Sequence, residues 1–325
     1  MRHITFSKHG GSEVLQVTES PDPTPGPGEV VVEVARAGVN FIDTYFRQGT
    51  YPVELPATAG NEGAGRVAAV GEGVTDVATG DRVAWCLVNG QGYTTHAVVP
   101  AEKVVPVPDG VSDEQAVAAL VQGTTAHVLA REVWPLEAGD TVLVHAVAGG
   151  VGLLLTQMLT ADGVEVIGTC STDAKAEAGR AAGAAHVVRY DREDVADRVR
   201  ESTGGRGVKV AFDGVGASTF DASMASLSPR GLLCLFGAAS GPVPPVDPQR
   251  LNAAGSVYLT RPTLHTFVST REDLLRLTGD VLAQVADGSL RLTIGETYPL
   301  AEAARAQDDL AGRRTSGKLL LDPTA

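Results

Sequence analysis

The sequence lacks the features that mark secreted, disulfide-rich or membrane-spanning proteins. It has three cysteines in 325 residues, Cys86, Cys170 and Cys234, and each lies in or beside an apolar stretch. An odd and dispersed set excludes a disulfide scaffold, so we expect buried thiols in a reducing cytoplasm. No apolar run reaches the roughly 18 residues that a membrane-spanning helix needs. The opening segment MRHITFSKHG has no apolar core of the kind found in signal peptides.

The sequence also has few basic residues and no zinc-finger spacing. Its 39 acidic and 26 basic residues give a formal net charge of −13, which argues against a general affinity for nucleic acid or an anionic membrane. No C-x-x-C pair occurs, and no two histidines stand three or four residues apart, so the spacings of common zinc sites are missing. The 43% hydrophobic and 20% charged residues predict a globular protein of about two domains.

Residues 1–123 have the pattern of an antiparallel β domain. Short β-rich stretches alternate with glycine and proline turns, which predicts a compact, barrel-like fold. The strands are predicted at residues 29–35, 63–70, 82–87 and 93–99. Ser112 and Gln115 have the spacing of a capping box, which predicts a helix that continues to about Leu120.

From residue 124 onward the pattern changes to alternating strands and helices. Strands are predicted at residues 141–145, 164–169, 185–188, 208–213, 232–236 and 256–259. This alternation indicates a doubly wound parallel sheet with helices on both faces. Residues 263–325 return to mixed structure, with helices at 271–286 and 300–310 and strands at 292–294 and 318–321. We therefore predict one domain from residues 1–123 and 263–325, with a second domain, 124–262, inserted into it.

A glycine-rich turn stands at the start of the parallel sheet, in TVLVHAVAGGVG at residues 141–152. Val142, Leu143 and Val144 are predicted to form a buried strand, Gly149, Gly150 and Gly152 follow, and an apolar helix face begins at Val151. Glycines there let a backbone approach a pyrophosphate, which the N–H groups and dipole of the helix attract. A tight connection without a ligand is the alternative, but three glycines exceed what such a turn needs.

The end of the second strand favours NADP(H) over NAD(H). NAD sites place an acid there for the ribose hydroxyls, whereas this chain has Thr169, Cys170 and Ser171. Lys175 follows and supplies a positive charge, although a lysine at such a position is also common as a solvated helix residue. Tyr190, after the third strand, lies on the same side of the sheet. Asp173 is interpreted as an N-terminal helix residue rather than as the missing acid.

Five segments spread over nearly the whole chain carry a resemblance. They are AGVNFIDTYFRQGTYP (37–52), HAVAGGVGLLLTQ (145–157), IGTCSTDAK (167–175), YLTRP (258–262) and GKLLL (317–321). On these the chain resembles the zinc-independent quinone oxidoreductases (zeta-crystallin type) of the medium-chain dehydrogenase/reductase superfamily. The resemblance implies an α/β protein, in which a GroES-like β-rich catalytic domain carries an inserted Rossmann domain with a doubly wound parallel sheet. It also implies NADP(H) and a homodimer joined through the Rossmann domain.

The resemblance also implies a set of site residues. Asn40 and Tyr45 would be catalytic. For the cofactor, the resemblance implies Gly149, Gly150 and Val151 at the pyrophosphate and Ser171, Lys175 and Tyr190 at the adenosine phosphate. It places Asn40, Tyr45, Phe236, Gly237, Thr260 and Arg261 toward the nicotinamide, with Thr125 and Lys318 as further contacts. Zinc-dependent relatives have a cysteine near the position of Asn40 and Gly-His-Glu at the position of Gly60-Asn61-Glu62, so no metal is expected here.

Without a metal, a hydride acceptor must already be electrophilic, and a quinone meets that condition. The prediction is therefore hydride transfer from NADPH to a quinone, with hydrogen bonds from Asn40 and Tyr45 to the developing oxyanion. Two alternatives stay open at this point. One is an NADPH-dependent reductase of enones or enoyl thioesters. The other is an NADPH-binding protein without catalysis, with a crystallin or RNA-binding role.

Overall fold

The structure is a computed structural model, and it describes every residue from Met1 to Ala325. The chain divides into two compact units, which are residues 1–124 with 268–325, and residues 125–267. The sequence-based division placed its boundaries after residues 123 and 262. No helix combines the length and the apolar composition that a membrane span requires.

Strands dominate the first 124 residues. They are β1 (Arg2–Phe6), β2 (Gln16–Glu19), β3 (Glu29–Val39), β4 (Ala57–Thr58), β5 (Gly63–Val70), β6 (Arg82–Trp85), β7 (His96–Pro100) and β8 (Val104–Pro106). The helices are α1 (Phe41–Gln48) and α2 (Asp113–Ala118), and α2 continues into a π-helical turn at Ala119–Gly123. Ser112 caps α2 by accepting from the Gln115 N–H, as the capping-box spacing predicts.

The second unit contains a six-stranded sheet. Its strands are β9 (Thr141–Val144), β10 (Glu165–Cys170), β11 (His186–Arg189), β12 (Val208–Asp213), β13 (Leu227–Leu235) and β14 (Tyr258–Thr260). The helices are α3 (Thr124–Arg131), α4 (Gly150–Ala161), α5 (Asp173–Ala181), α6 (Val195–Ser202), α7 (Phe220–Ser226), α8 (Pro248–Ala253) and α9 (Leu264–Phe267). All neighbouring strands run parallel, in the order β11-β10-β9-β12-β13-β14. This is the strand order of a dinucleotide-binding Rossmann domain, so the predicted doubly wound sheet is confirmed.

The last 58 residues complete the first unit, as its bounds of 268–325 show. They form α10 (Arg271–Ala286), β15 (Ile294–Pro299), α11 (Ala303–Ala311) and β16 (Lys318–Asp322). β16 pairs antiparallel with β3, and a seven-stranded sheet results with the path β15-β16-β3-β5-β6-β8 and with β7 added beside β3. Every pair in this sheet except β15 with β16 is antiparallel. The predicted antiparallel β domain is therefore confirmed.

Several strands of the first unit differ from the sequence-based boundaries, among them β6, which ends at Trp85 rather than at residue 87, and β7, which begins at His96 rather than at residue 93. β3 continues to Val39 rather than ending at residue 35, and the strand expected at 292–294 begins only at Ile294. Residue 38, inside β3, has to be glycine because a Cβ there would overlap the carboxyl group of Glu62. β15 is an edge strand in which only Tyr298 is buried, so it has no apolar alternation for a sequence pattern to detect.

Each unit has its own apolar core, and the cysteines belong to the buried residues. In the first unit Val32, Trp85 and Leu319 are among the fully buried side chains, and in the second Leu143 and Phe212 are. Cys86, Cys170 and Cys234 are buried free thiols, as expected from their apolar surroundings. Burial raises the pKa of Cys86 and of Cys234 to about 12, so both stay protonated near neutral pH.

Candidate functional site

The glycine turn leaves the start of α4 open to an anion. β9 ends at Val144, and Gly149 occupies the N-cap position of α4 in an extended conformation (φ −76°, ψ 166°), where it has no side chain to cap the helix. The N–H groups of the first turn, at Gly150, Val151 and Gly152, have no acceptors within the helix. They provide the donors and the dipole that bind a pyrophosphate, so the turn fits a dinucleotide cofactor.

Gly152 is required by the packing of this turn rather than by its backbone conformation. A Cβ at Gly152 would overlap the carbonyl oxygen of Ala146 and crowd Val147. Ala146 itself has a left-handed conformation, with φ of 52°. The chain is therefore tightly folded between β9 and α4, and only glycine at residue 152 lets the helix approach the turn this closely.

The structure brings the predicted adenosine-phosphate residues to one edge of the sheet. β10 and β11 are parallel neighbours whose last residues, Cys170 and Arg189, are paired in register. Ser171 follows β10 and Tyr190 follows β11, and Tyr190 is 40% exposed. Lys175 lies in the first turn of α5, where its N–H donates to the Thr172 hydroxyl at 3.2 Å. Neither strand end carries an acid directly after its last residue.

Sequence reasoning missed Arg189, which lies between these residues. Its guanidinium makes a bidentate ion pair with Asp191, with Nε and Nη2 each 2.9 Å from a carboxylate oxygen. Its Nη1 also donates to Asp173, the first residue of α5. The only sequence signal for this contact was an arginine at a strand end beside Tyr190.

Four of the residues predicted for the nicotinamide side, Phe236, Gly237, Thr260 and Arg261, lie at or just beyond the ends of two neighbouring strands, and Thr125 lies elsewhere in the chain. Phe236 and Gly237 follow β13, and Thr260 ends β14, where it is paired in register with Cys234. The Phe236 N–H donates to the Asp213 carbonyl at 2.9 Å. Arg261 is exposed just beyond β14, and Thr125 is half-buried in α3.

A buried polar network lies beneath the carboxyl ends of the central strands. The Ser223 hydroxyl donates to the Asp213 carboxylate at 2.7 Å, and its oxygen lies 2.9 Å from His145 Nε2. His145 Nδ1 lies 3.0 Å from the Thr169 hydroxyl. Burial lowers the pKa of His145, so the ring is neutral near pH 7. This network connects β9, β10, β12 and α7, and it was not predicted.

In the first unit, the side chain of Asn40 is held by two charged groups. Asn40 precedes α1 and is 6% exposed. Its Nδ2 donates to Glu62 Oε1 at 2.6 Å, and its Oδ1 accepts from Lys318 Nζ at 2.8 Å. Lys318 and Glu62 also form an ion pair with each other, and Lys318 is only 1% exposed. Glu62 Oε2 accepts from the Val121 N–H at 3.0 Å.

A second buried carboxylate adjoins this arrangement. Asp43 accepts from the side chain of Asn61 at 2.6 Å, from the Asn40 N–H at 2.8 Å and from the Tyr93 hydroxyl at 3.0 Å. Burial raises the pKa of Asp43 to about 6, although the hydrogen bonds from Asn61 and Asn40 oppose this shift. Burial also raises the pKa of Tyr93, so Tyr93 is the donor in its contact with Asp43.

The remaining predicted residue of the first unit, Tyr45, lies on α1 in an aromatic cluster. It is half-buried, and its ring packs edge-on against Tyr51 with 5.4 Å between the centroids. Phe46 packs against the same tyrosine at 5.7 Å. Asn40 and Asn61, at the positions where zinc-dependent relatives place ligands, are both hydrogen-bonded to carboxylates as described above. No group of three or more histidine, cysteine or carboxylate side chains is arranged to hold a metal ion.

Two family models match the chain in the order of its elements. The model described as "Alcohol dehydrogenase GroES-like domain" matches residues 26–109, and the model described as "Zinc-binding dehydrogenase" matches residues 150–277. Among solved structures, a mycobacterial protein in complex with NADPH superposes with a TM-score of 0.96 at 51% identity, over 99% of this chain and 100% of the other. The Escherichia coli quinone oxidoreductase in complex with NADPH gives 0.97 at 40% identity, over 99% and 100%.

Curated relatives are similar over the same length. A quinone oxidoreductase of Pseudomonas aeruginosa is 44% identical, with 99% of each chain covered. A 2-haloacrylate reductase of a Burkholderia species is 38% identical, with 98% of each chain covered. With the Rossmann strand order and the antiparallel β unit described above, these similarities establish that the chain belongs to the quinone oxidoreductase family of the medium-chain dehydrogenase/reductase superfamily.

Proposed function

We propose that the protein transfers a hydride from NADPH to a quinone without a metal ion. The observation that carries this proposal is the uncapped glycine start of α4 beside a β10 end that has no acid. Similarity to NADPH complexes at 51% and 40% identity supports the cofactor, and the 44% identical quinone oxidoreductase supports the acceptor. When bound, NADPH supplies two electrons and one hydrogen as a hydride.

The chain's own residues would bind the two ends of the cofactor separately. Gly149, Gly150 and Val151 would hold the pyrophosphate through backbone N–H groups. The adenosine phosphate would lie against Ser171, Lys175 and Tyr190. The remaining proposed cofactor contacts are Asn40, Tyr45, Thr125, Phe236, Gly237, Thr260, Arg261 and Lys318.

Asn40 would donate a hydrogen bond to the reduced acceptor. One N–H of its side-chain amide is used by Glu62, and an amide nitrogen has a second hydrogen to donate. We assign that hydrogen to the quinone oxygen on which negative charge develops during hydride transfer. Tyr45 would supply packing and a further hydrogen bond, and the proton that completes the hydroquinone would come from water.

A panel of acceptors tests the proposed reaction. NADPH oxidation is followed with a 1,4-quinone, a 2-enone, a 2-haloacrylate and an enoyl thioester, and we expect the largest kcat/KM with the quinone. The 38% identical 2-haloacrylate reductase favours activated alkenes as a second candidate, which a larger kcat/KM for the haloacrylate or enone would establish instead. Tight NADPH binding with no turnover of any acceptor would point to a non-catalytic protein.

Substitution of Asn40 tests the assigned hydrogen bond. Asn40→Ala is expected to lower kcat about 100-fold, the loss typical of one oxyanion-stabilising donor, and to change the Kd for NADPH much less. Because Asn40 also contacts Glu62 and Lys318, the thermal unfolding of the variant is measured in parallel. An unchanged kcat in a folded Asn40→Ala variant would contradict the role.

We further propose that the protein works in the cytoplasm as a homodimer joined through the second unit. β14 is an edge strand of the six-stranded sheet, and Tyr258 on it is 52% exposed. An edge with free backbone groups is suited to pairing with a second copy. Sedimentation equilibrium measures the mass directly, and a Tyr258→Glu variant is expected to shift it toward the 33.5 kDa of one chain.

A further inference from the structure

Five charged residues lie at or within a few residues of the ends of β10 and β11, where the adenosine phosphate is proposed to bind. They are Asp173, Lys175, Arg189, Asp191 and Arg192, which we call the adenosine-end cluster. Arg189 is its centre, because its side chain is only 11% exposed and contacts both aspartates. Arg192 is 63% exposed and lies 3.9 Å from Asp173 and 3.6 Å from Asp191. Arg189 therefore makes the close contacts, and the more exposed Arg192 lies farther from both carboxylates.

The position of Asp173 makes its charge important for cofactor choice. It begins α5 two residues after Ser171, and its side chain is 76% exposed. An exposed carboxylate near the end of the second strand is what an NAD site uses to accept from the ribose hydroxyls and to repel a 2′-phosphate. Here the Arg189 guanidinium pairs with that carboxylate, so the negative charge of Asp173 is compensated.

Asp191 holds Arg189 in the geometry that reaches Asp173. The bidentate contact uses Nε and Nη2 at 2.9 Å each, which fixes the plane of the guanidinium. Nη1 is then directed to Asp173. The five side chains comprise three cations and two carboxylates, which leaves one net positive charge. Glu193, which accepts from the Arg189 N–H at 2.9 Å, is itself paired with Arg198 at 2.9 Å. Loss of Arg189 would leave two cations against two carboxylates and would remove the closer of the two arginines from Asp173, since Arg192 lies 3.9 Å away.

We propose that Arg189 sets the preference for NADPH over NADH by neutralising Asp173. This inference rests on the proposed placement of the adenosine phosphate at Ser171, Lys175 and Tyr190. Arg189 is a specificity-determining residue in this account. It favours the 2′-phosphate indirectly, because it neutralises the Asp173 carboxylate that would otherwise repel the phosphate. A lysine would not replace it fully, because the bidentate contact with Asp191 needs a guanidinium.

Binding measurements on the full chain test the proposal without turnover. The Kd values for NADPH, NADH and 2′,5′-ADP are measured by titration calorimetry. Arg189→Gln is expected to raise the Kd for NADPH and for 2′,5′-ADP about tenfold, which is the change expected when one partly screened charge is left uncompensated. The Kd for NADH is expected to stay unchanged or to fall. Arg189→Gln/Asp173→Asn is expected to recover most of the NADPH affinity. Arg189→Gln/Asp191→Asn, the matched control, is expected to recover less.

Two further variants, Arg192→Gln and Lys175→Ala, distinguish a wrong role for Arg189 from a wrong placement of the adenosine phosphate. Arg192→Gln should change the Kd for NADPH by less than Arg189→Gln does, and the thermal unfolding of every variant is compared with the wild type to exclude misfolding. An unchanged ratio of the NADPH and NADH affinities in Arg189→Gln would overturn the proposal, as would an Asp173→Asn change that recovers nothing. If Lys175→Ala also leaves the ratio unchanged, then the placement of the adenosine phosphate is itself wrong.

Discussion

Lys318 donates a hydrogen bond from its ammonium group to the side-chain oxygen of Asn40 at 2.8 Å, and both residues are buried. Because Glu62 accepts from the other end of the same amide, the orientation of Asn40 is fixed, with its oxygen toward the cation and its nitrogen toward the carboxylate. Lys318, on the last strand β16, thus supports Asn40, the residue that precedes α1, although 278 positions separate the two residues. The catalytic role proposed for Asn40 depends on this support.

Removal of Lys318 should destabilise the protein strongly. In Lys318→Met, Glu62 keeps a buried negative charge without its cation, a change that typically costs about 3–5 kcal/mol. The free energy of unfolding in urea measures this loss. The double variant Glu62→Gln/Lys318→Met removes both charges and is expected to recover most of the stability while kcat stays low, because Asn40 is no longer oriented. A double variant as unstable as the single one would contradict the uncompensated-charge explanation.

The raised pKa of Asp43 predicts a pH dependence of stability with a definite sign. Burial moves this pKa from 3.8 to about 6, so the folded protein binds a proton that the unfolded chain has released. The stabilisation from the protonated carboxyl group is complete below about pH 3.8 and is lost as the pH rises through about 6. Relative to Asp43→Asn, the wild type should lose about 3 kcal/mol of unfolding free energy over that window.

Urea unfolding of both proteins at a series of pH values checks the sign for Asp43. The three donors that contact Asp43 act in the opposite direction to burial, so the experiment decides between two effects. If the wild type gains stability relative to Asp43→Asn as the pH rises, then the hydrogen bonds dominate and the assigned cause is wrong.

Two glycines in helices should respond in opposite ways to replacement by alanine. In Gly152→Ala the new Cβ would overlap the Ala146 carbonyl and displace the turn, so we expect a loss of about 1–3 kcal/mol and weaker NADPH binding. Gly279 lies within α10 with open space around it, and Gly279→Ala should stabilise by about 1 kcal/mol. Thermal unfolding and NADPH titration measure both, and equal responses would show that local packing does not distinguish these sites.

The hydrogen bonds of His145 predict one tautomer of its ring. The single hydrogen of the Ser223 hydroxyl goes to Asp213, so Ser223 must accept from His145, and the proton lies on Nε2. Nδ1 then accepts from the Thr169 hydroxyl at 3.0 Å. Nitrogen NMR of labelled protein should show a neutral Nε2–H ring whose titration midpoint lies below 6.5. A Nδ1–H ring, or a midpoint above 6.5, would contradict the network.

The sequence was sufficient to predict elements that depend on local patterns. The helix α10 has the predicted bounds, 271–286. Its N-cap and its apolar face are both determined by residues that are close together in the sequence, so a local pattern was sufficient to predict it. The strand–glycine–helix sequence at 141–152 likewise identified the first strand of the parallel sheet and the helix that follows it. The alternation of strands and helices then determined the sheet class, and the observed strand order agrees with it.

The contacts that build the candidate site were not predictable in this way. Lys318 and Glu62 are separated by 256 positions, and no local periodicity links a lysine in one strand to a glutamate that precedes another. Lys318 is predicted to contact the cofactor, and the structure adds contacts of its ammonium group with Asn40 and Glu62 that the sequence did not predict. Arg189 and Asp173 are paired because β10 and β11 are adjacent and in register, which only the folded sheet determines.

The central claim is that hydride passes from NADPH to a quinone without help from a bound metal ion. Single-turnover oxidation of NADPH by a 1,4-quinone, in protein shown by elemental analysis to be free of zinc, tests it most directly. The account predicts a rate that neither a chelator nor added zinc changes. A rate that chelation abolishes and zinc restores would contradict it.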